Sequence, residues 1–396
     1  MITLPRIMFA ALLVIGGYVF FLAPRVDAYT STSAQWQEKL VEPRPTFTLE
    51  PPVPGRRPQV FPDPGTAFFG IFTEKGPGDL TDYNGFVQAA GKNPQVMMFA
   101  SGWGAQKHFD RQPFDRIANR GMLPMLGWEP WDYRAESKTD KDRGTQPQYR
   151  LSRIADGAFD SYLSEWAKGI KDLAYPVAIR FAHEMNGYWY PWCESANGNQ
   201  RGDYVAAWRH VHDLFERIGA TNVIWVWSPN VVYENATPLS QLYPGDDYVD
   251  WVGLSGYYGT AGMETYQSFE QIYRPTLAEL KTLSKRPIVV TETAATDAQG
   301  RKAEWITDFL RTLQKHPEII GFLWYESVKE TDWRIAASQS ASAAFAQGVA
   351  QPYYGARWSP DMVPRTTLPS SASASASATA TASASATPSA SASRSN

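Results

Sequence analysis

The 396-residue chain has a single cysteine, Cys193, so it cannot form an internal disulfide or hold a cysteine-based metal cluster. Histidine is scarce as well, with five residues. The only His-Glu step, His183-Glu184, has Gly187 where a zinc-protease motif needs its second histidine. No metal and no other cofactor is expected. Net charge is −3, which leaves no basic footprint for nucleic acid and no polybasic membrane patch. No glycine-rich phosphate fingerprint follows the first strand-like run, which argues against a doubly wound nucleotide-binding sheet. Without crosslinks the fold must rest on its apolar core, and the chain is long enough to build one. Aromatic residues, by contrast, are abundant at 14%, including 15 tryptophans. Indole faces stack on the C–H faces of sugar rings, so this excess points towards carbohydrate, with core filling as the competing use of each ring.

Composition divides the chain into segments. Residues 7–23 are apolar between Arg6 and Arg25, and small residues at Val26-Asp27-Ala28 precede Tyr29. Residues 1–28 therefore read as a secretory signal or signal anchor, and the protein is expected to be secreted, or tethered to the membrane through residues 7–23. Prolines at 43, 45, 51, 52, 54, 58, 62 and 64 forbid regular structure, and residues 29–65 read as a stiff linker. Residues 359–396 are assigned to a tail that becomes almost pure Ser, Ala and Thr from Thr366, too polar to offset the entropy of ordering.

Between these segments, residues 66–358 alternate apolar strand-like runs with helical patterns. The runs are 67–72, 95–100, 123–127, 176–181, 222–227, 250–256, 287–291 and 319–324. Three- and four-residue apolar spacing marks helices over 159–173, 204–218, 268–284 and 302–316. Eight such units predict an α/β fold, a (β/α)8 TIM barrel whose functional groups sit where strands end.

Those ends are polar or aromatic. Strand three runs into Trp128-Glu129-Pro130-Trp131, strand four into His183-Glu184, strand six into Tyr257, strand seven into Glu292 and strand eight into Trp324-Tyr325-Glu326. Hydrolysis of a glycosidic bond needs one carboxylic acid to protonate the leaving oxygen and one carboxylate to attack or to activate water. Glu184 and Glu292 are the best pair, ending strands that lie across the barrel. The competing explanation for Glu184 is a buried ion pair with Arg180. His183 could bond a sugar hydroxyl, and Tyr257 could donate to Glu292. Trp324 is expected to floor the cleavage point, with Trp128, Trp189 and Trp192 as walls. Glu129, Glu326 and Asp132 read as hydrogen-bonding or rim groups.

The block from Arg180 to Trp192, with Trp225-Val-Trp-Ser-Pro-Asn230, Trp251-Val-Gly-Leu-Ser-Gly-Tyr257, Pro287-Ile-Val-Val-Thr-Glu292 and Phe322-Leu-Trp324, closely resembles glycoside hydrolase family 26 over residues 66–350. The resemblance implies a retaining barrel with Glu184 as acid/base and Glu292 as nucleophile. It gives His183 and Tyr257 supporting roles and Trp189 and Trp324 sugar-binding roles. β-Mannan is the substrate it implies first. Mannanases of the family tend to carry a histidine-containing turn after strand three, whereas Trp128-Glu129-Pro130-Trp131 looks more like the mixed-linkage β-1,3-1,4-glucanase branch; xylan is a further family substrate. A non-catalytic cell-surface carbohydrate-binding protein is the reading from another class. Paired carboxylates that repel one another weigh against it.

Overall fold

A computed structural model of the protein describes residues 42–47, 59–136, 144–173, 175–259 and 265–366. The expected signal or anchor, much of the expected linker and the Ser/Ala tail beyond residue 366 lie outside the described residues. Among the described residues no helix is long and apolar enough to cross a membrane.

Eight parallel strands close into one barrel: β1 (Phe68–Phe72), β2 (Val96–Gly102), β3 (Leu123–Glu129), β4 (Val177–Phe181), β5 (Val223–Trp227), β6 (Trp251–Ser255), β7 (Ile288–Thr293) and β8 (Ile319–Tyr325). Each pairs with its sequence neighbour, and β8 returns to β1 in parallel register. All eight predicted runs are strands, displaced by at most two residues at any end. This is the (β/α)8 architecture.

Helices cover the outside. After β1 comes α1 (Thr81–Ala90), after β2 α2 (Gln112–Ala118), and before β4 the pair α3 (Leu151–Ala155) and α4 (Asp160–Lys171). Then follow α5 (Asp203–Ile218), the short α6 (Leu239–Leu242), α7 (Phe269–Leu283), α8 (Lys302–Leu313) and α9 (Gln339–Val349). In α4, Leu163, Trp166, Ala167 and Ile170 are buried at helical spacing, forming one face against the sheet. Helix α7 opens on a capping box between Ser268 and Gln271, which satisfies amide donors that have no partner inside the helix.

Strand alternation divides the core in two. Outward residues such as Ile179, Phe181, Trp225 and Trp227 pack under the helices. Inward residues Phe68, Val96, Met98, Leu123, Met125, Ala178, Ile224, Val226, Trp251 and Val289 fill the N-terminal half of the barrel. That end is closed by two short strands, Val60–Phe61 and Val363–Pro364, paired in parallel. Phe61 stacks on Phe68 at 5.3 Å, and Trp251 Nε1 donates to Arg365 O at 2.9 Å. The folded unit thus extends beyond 66–358 at both ends. Proline-rich residues near 60 are held there by burying Phe61 rather than left as linker.

Candidate active site

Opposite this plug, the inward positions turn polar. Two residues above Ala178, Arg180 of β4 is buried, and its guanidinium reaches three other strands. It donates through Nε to Ser228 Oγ at 3.0 Å, through Nη2 to Ser255 Oγ at 2.6 Å and through Nη1 to Glu292 Oε2 at 2.9 Å. Ser228 also bonds Thr291 at 2.7 Å, so β4, β5, β6 and β7 are joined across the barrel interior. The buried ion pair anticipated for Arg180 is therefore made with Glu292, not with Glu184.

Glu292 faces inward because strand β7 is irregular. Thr291 meets Ser228 inside the barrel, whereas Thr293 meets Tyr273 of the outer helix α7 at 2.8 Å. Strict alternation would put 291 and 293 on one face and 292 on the other. The pairing register shifts between Val290 and Thr293, and this bulge turns both Thr291 and Glu292 inward. Tyr257 then donates its hydroxyl to the second oxygen of Glu292.

Glu184 reaches the same mouth by a different device. Ala182 (φ 45°) and Glu184 (φ 54°) both adopt left-handed backbone, uncommon for residues with a Cβ and typical of functional turns. The turn is pinned by the Glu184 amide donating to Ser228 O at 2.7 Å and the Ala182 amide donating to Trp128 O at 3.0 Å. Trp189 Nε1 donates to Glu184 Oε2 at 3.1 Å, and the Ser255 hydroxyl also bonds this carboxyl. Burial, reinforced by the charge of Glu292, pushes Glu184 up to about 7. The two glutamates thus face one cleft in contrasting surroundings, joined through Ser255 and Arg180.

His183 is buried against Tyr190 and Trp192, and its Nδ1 has no hydrogen-bond partner. Burial and the charge of Arg180 hold the ring well below the usual histidine value, so it is neutral. Trp189 is half-buried beside Glu184 and continues to Tyr233, 6.0 Å between ring centres, and to the exposed Tyr188. Trp192 is fully buried and donates to His183 O at 2.5 Å, which fixes the loop.

Two expected sugar-binding tryptophans are not brought to the cleft. Trp128 occupies an outward position of β3, fully buried, with Trp166 of α4 and Phe215 of α5 beside it and its Nε1 on Tyr162. Alternation aims Trp128 at the helices and its neighbour Glu129 into the barrel. Trp324 also faces outward, packed on Trp305 of α8 and Phe345 of α9, with Nε1 donating to Trp333 O at 3.1 Å. In the β7–β8 register Ile288 pairs with Ile319 and Val289 with Gly321, so β8 carries an extra residue at Ile320. The extra residue reverses the facing of everything after it. Tyr325 takes the inward place instead, 5.9 Å from Tyr257 between ring centres and 4.9 Å from Phe72.

The remaining acids separate. Glu129 enters the cleft, with Trp131 Nε1 donating to its Oε2 at 2.7 Å. Glu326 is buried away from the cleft, accepting the amides of Ile335 and Ala336 at 2.9 and 3.4 Å. Asp132 pairs with Arg134 at 3.0 Å. The Arg180 clamp and its three hydroxyl groups were not anticipated, although small polar residues one step above apolar inward positions in β5, β6 and β7 carry that signal. Lys329, in the loop after β8, adds a cation that feels the charges of both Glu184 and Glu292.

Residues 147–339 match the model of glycosyl hydrolase family 26. This stretch is a family 26 sequence. It includes β4 to β8, and with them both Glu184 and Glu292. Over 271 residues the chain is 32% identical to Endoglucanase H of Acetivibrio thermocellus, an alignment spanning 67% of this chain and 28% of that protein. Over 237 residues it is 26% identical to mannan endo-1,4-beta-mannosidase of Bacillus subtilis, covering 57% of this chain and 60% of the relative. The chain thus spans less than two thirds of either relative. The catalytic domain of a family 26 endo-beta-1,4-mannanase from Bacillus sp. JAMB-750 superposes with a TM-score of 0.54 at 19% identity, over 76% of this chain and 91% of that one. That likeness shows a shared fold.

Proposed function

We propose that this family 26 barrel is a retaining endo-β-glycosidase that hydrolyses a β-1,4-linked polysaccharide, with β-mannan as its first expected substrate. The observation that carries the reading is the contrast between two carboxyl groups at one cleft. Glu292 accepts hydrogen bonds from Arg180 and Tyr257, while Glu184 lies buried and keeps its proton towards neutral pH. A carboxyl that keeps its proton suits the donor role, and one held by Arg180 and Tyr257 suits the attacking role.

In the first step a Glu292 oxygen bonds to the anomeric carbon as the glycosidic C–O bond breaks, and Glu184 passes its proton to the departing oxygen. In the second, a water attacks that carbon, its proton goes to Glu184, and Glu292 is released as carboxylate. Arg180 and Tyr257 keep Glu292 oriented throughout. Trp189, bonded to Glu184, offers an indole face to the sugar beside the acid. No metal or other cofactor is needed for these steps.

A mixed-linkage β-glucan is the second reading, supported by Glu129 at the end of β3 and by the relative named an endoglucanase. The apolar segment at residues 7–23 supports action outside the cell. Purified protein incubated with mannan, lichenan and xylan, with product sizes followed over time, tests the reading. Early release of mixed oligosaccharides from mannan or lichenan is expected. Absence of new reducing ends from every polymer would leave only a binding role.

A further inference from the structure

Glu129 is a third carboxyl in the cleft that the proposed chemistry does not use. Its Oε2 is occupied by Trp131 at 2.7 Å, while no residue among those described bonds its Oε1. The charges of Arg180 and Glu292 both bear on it. Burial pushes Glu129 up to about 7, so near neutrality the group can donate as well as accept a hydrogen bond.

The wall beside it is hollow. Ala100 and Gly127 are paired inward positions of β2 and β3, one step below the pair Gly102 and Glu129. Ala100 is exposed, unlike its buried strand neighbours. A methyl group built on Gly127 would meet nothing closer than Phe99 O at 3.6 Å, with the Ala100 backbone at 3.7 Å, so the space is real and tolerates an added carbon. Tyr133 leans over Gly102, where a Cβ would lie 2.7 Å from the tyrosine ring, and closes the hollow from above. Small apolar residues beside a carboxyl oxygen that has no protein partner suit a CH2–OH group.

We propose that Glu129 is a specificity-determining residue, its free oxygen holding the exocyclic hydroxymethyl group of a hexose whose carbon rests on Ala100 and Gly127. This rests on the hydrolase reading and names what that site selects: hexopyranose over pentopyranose. A pentose lacks the group and leaves Glu129 without its partner, and sites built around a hydroxyl reject analogues that lack it strongly.

The test uses activated aryl β-glycosides of mannobiose, cellobiose and xylobiose, whose leaving groups need no proton from Glu184, with wild type, Glu129→Ala, Glu129→Gln and Gly127→Ala. Melting temperatures establish that each variant is folded. The expected result is a wild-type preference for one of the hexosides. Its kcat/KM ratio over the xyloside should fall roughly 30-fold or more in Glu129→Ala and in Gly127→Ala, with Glu129→Gln between. An equal fall on hexoside and pentoside would overturn the proposal, because Glu129 would then act only through Glu292. A ratio unchanged in both alanine variants would overturn it too. Wild type inactive on every glycoside would remove the hydrolase reading itself, a result distinct from either.

Discussion

The two halves of the barrel interior are lined by the same eight strands and have opposite character. Near the strand N-termini, Phe68, Val96, Leu123, Ala178, Ile224, Trp251 and Val289 pack apolar side chains under the Phe61 plug. One to three inward steps further along, Arg180, Ser228, Ser255, Thr291, Glu292 and Glu129 replace them. The lower half excludes water and needs only shape and volume. The upper half buries charge, which is tolerable only because Arg180 meets a hydroxyl or carboxyl on every arm. Strands β3 to β7 thus supply stability below and chemistry above, and substitutions should separate along that line.

The largest effects are expected above. Glu292→Ala should lower hydrolysis of the best polymer by about 10⁴-fold or more while the protein stays folded, read as reducing-end release. Glu184→Gln should cost about 10²–10⁴-fold on polymer and far less on an activated aryl glycoside. The proton on Glu184 is lost as pH rises through about 7, so kcat/KM on polymer should fall over that range in wild type. With the activated substrate that alkaline limb should shrink.

Arg180→Met blurs the division, because it strands Glu292 without its buried partner. Urea titration should show a loss of about 3–5 kcal/mol together with lost activity. Leu123→Ala probes the lower half alone. It should cost about 2–5 kcal/mol and leave turnover per folded molecule unchanged; a changed KM there would show that the halves are not separable.

The smallest effect concerns Glu326, which lies outside the cleft and is pushed up to about 7 chiefly by burial. Its folded-state value exceeds the unfolded one, so the folded protein binds this proton more tightly. The resulting stability is fully present below the unfolded value near 4.5 and is lost as pH rises through about 7. Glu326→Gln should flatten the fall in melting temperature over that window without altering activity.

The strands were legible because each is an unbroken apolar run, and Glu184 and Glu292 stood out as charges ending such runs. Which way a side chain faces was harder to read. Trp128 and Glu129 are adjacent, yet alternation sends one to the helices and the other to the cleft. Trp324 is turned outward by one extra residue in β8, and Glu292 inward by a bulge in β7. Such irregularities are set by pairing between strands and leave no mark in the local pattern. The clamp of Arg180 on Glu292 joins residues far apart in sequence, which apolar periodicity cannot register.

The claim that Glu292 attacks the sugar is tested most directly by trapping. An activated 2-deoxy-2-fluoro-β-glycoside of the preferred sugar is added to wild-type protein, and the digested adduct is located by mass spectrometry. The account predicts one sugar per chain, attached at Glu292. An adduct on any other residue, or an inverted anomeric product with no adduct, would contradict it.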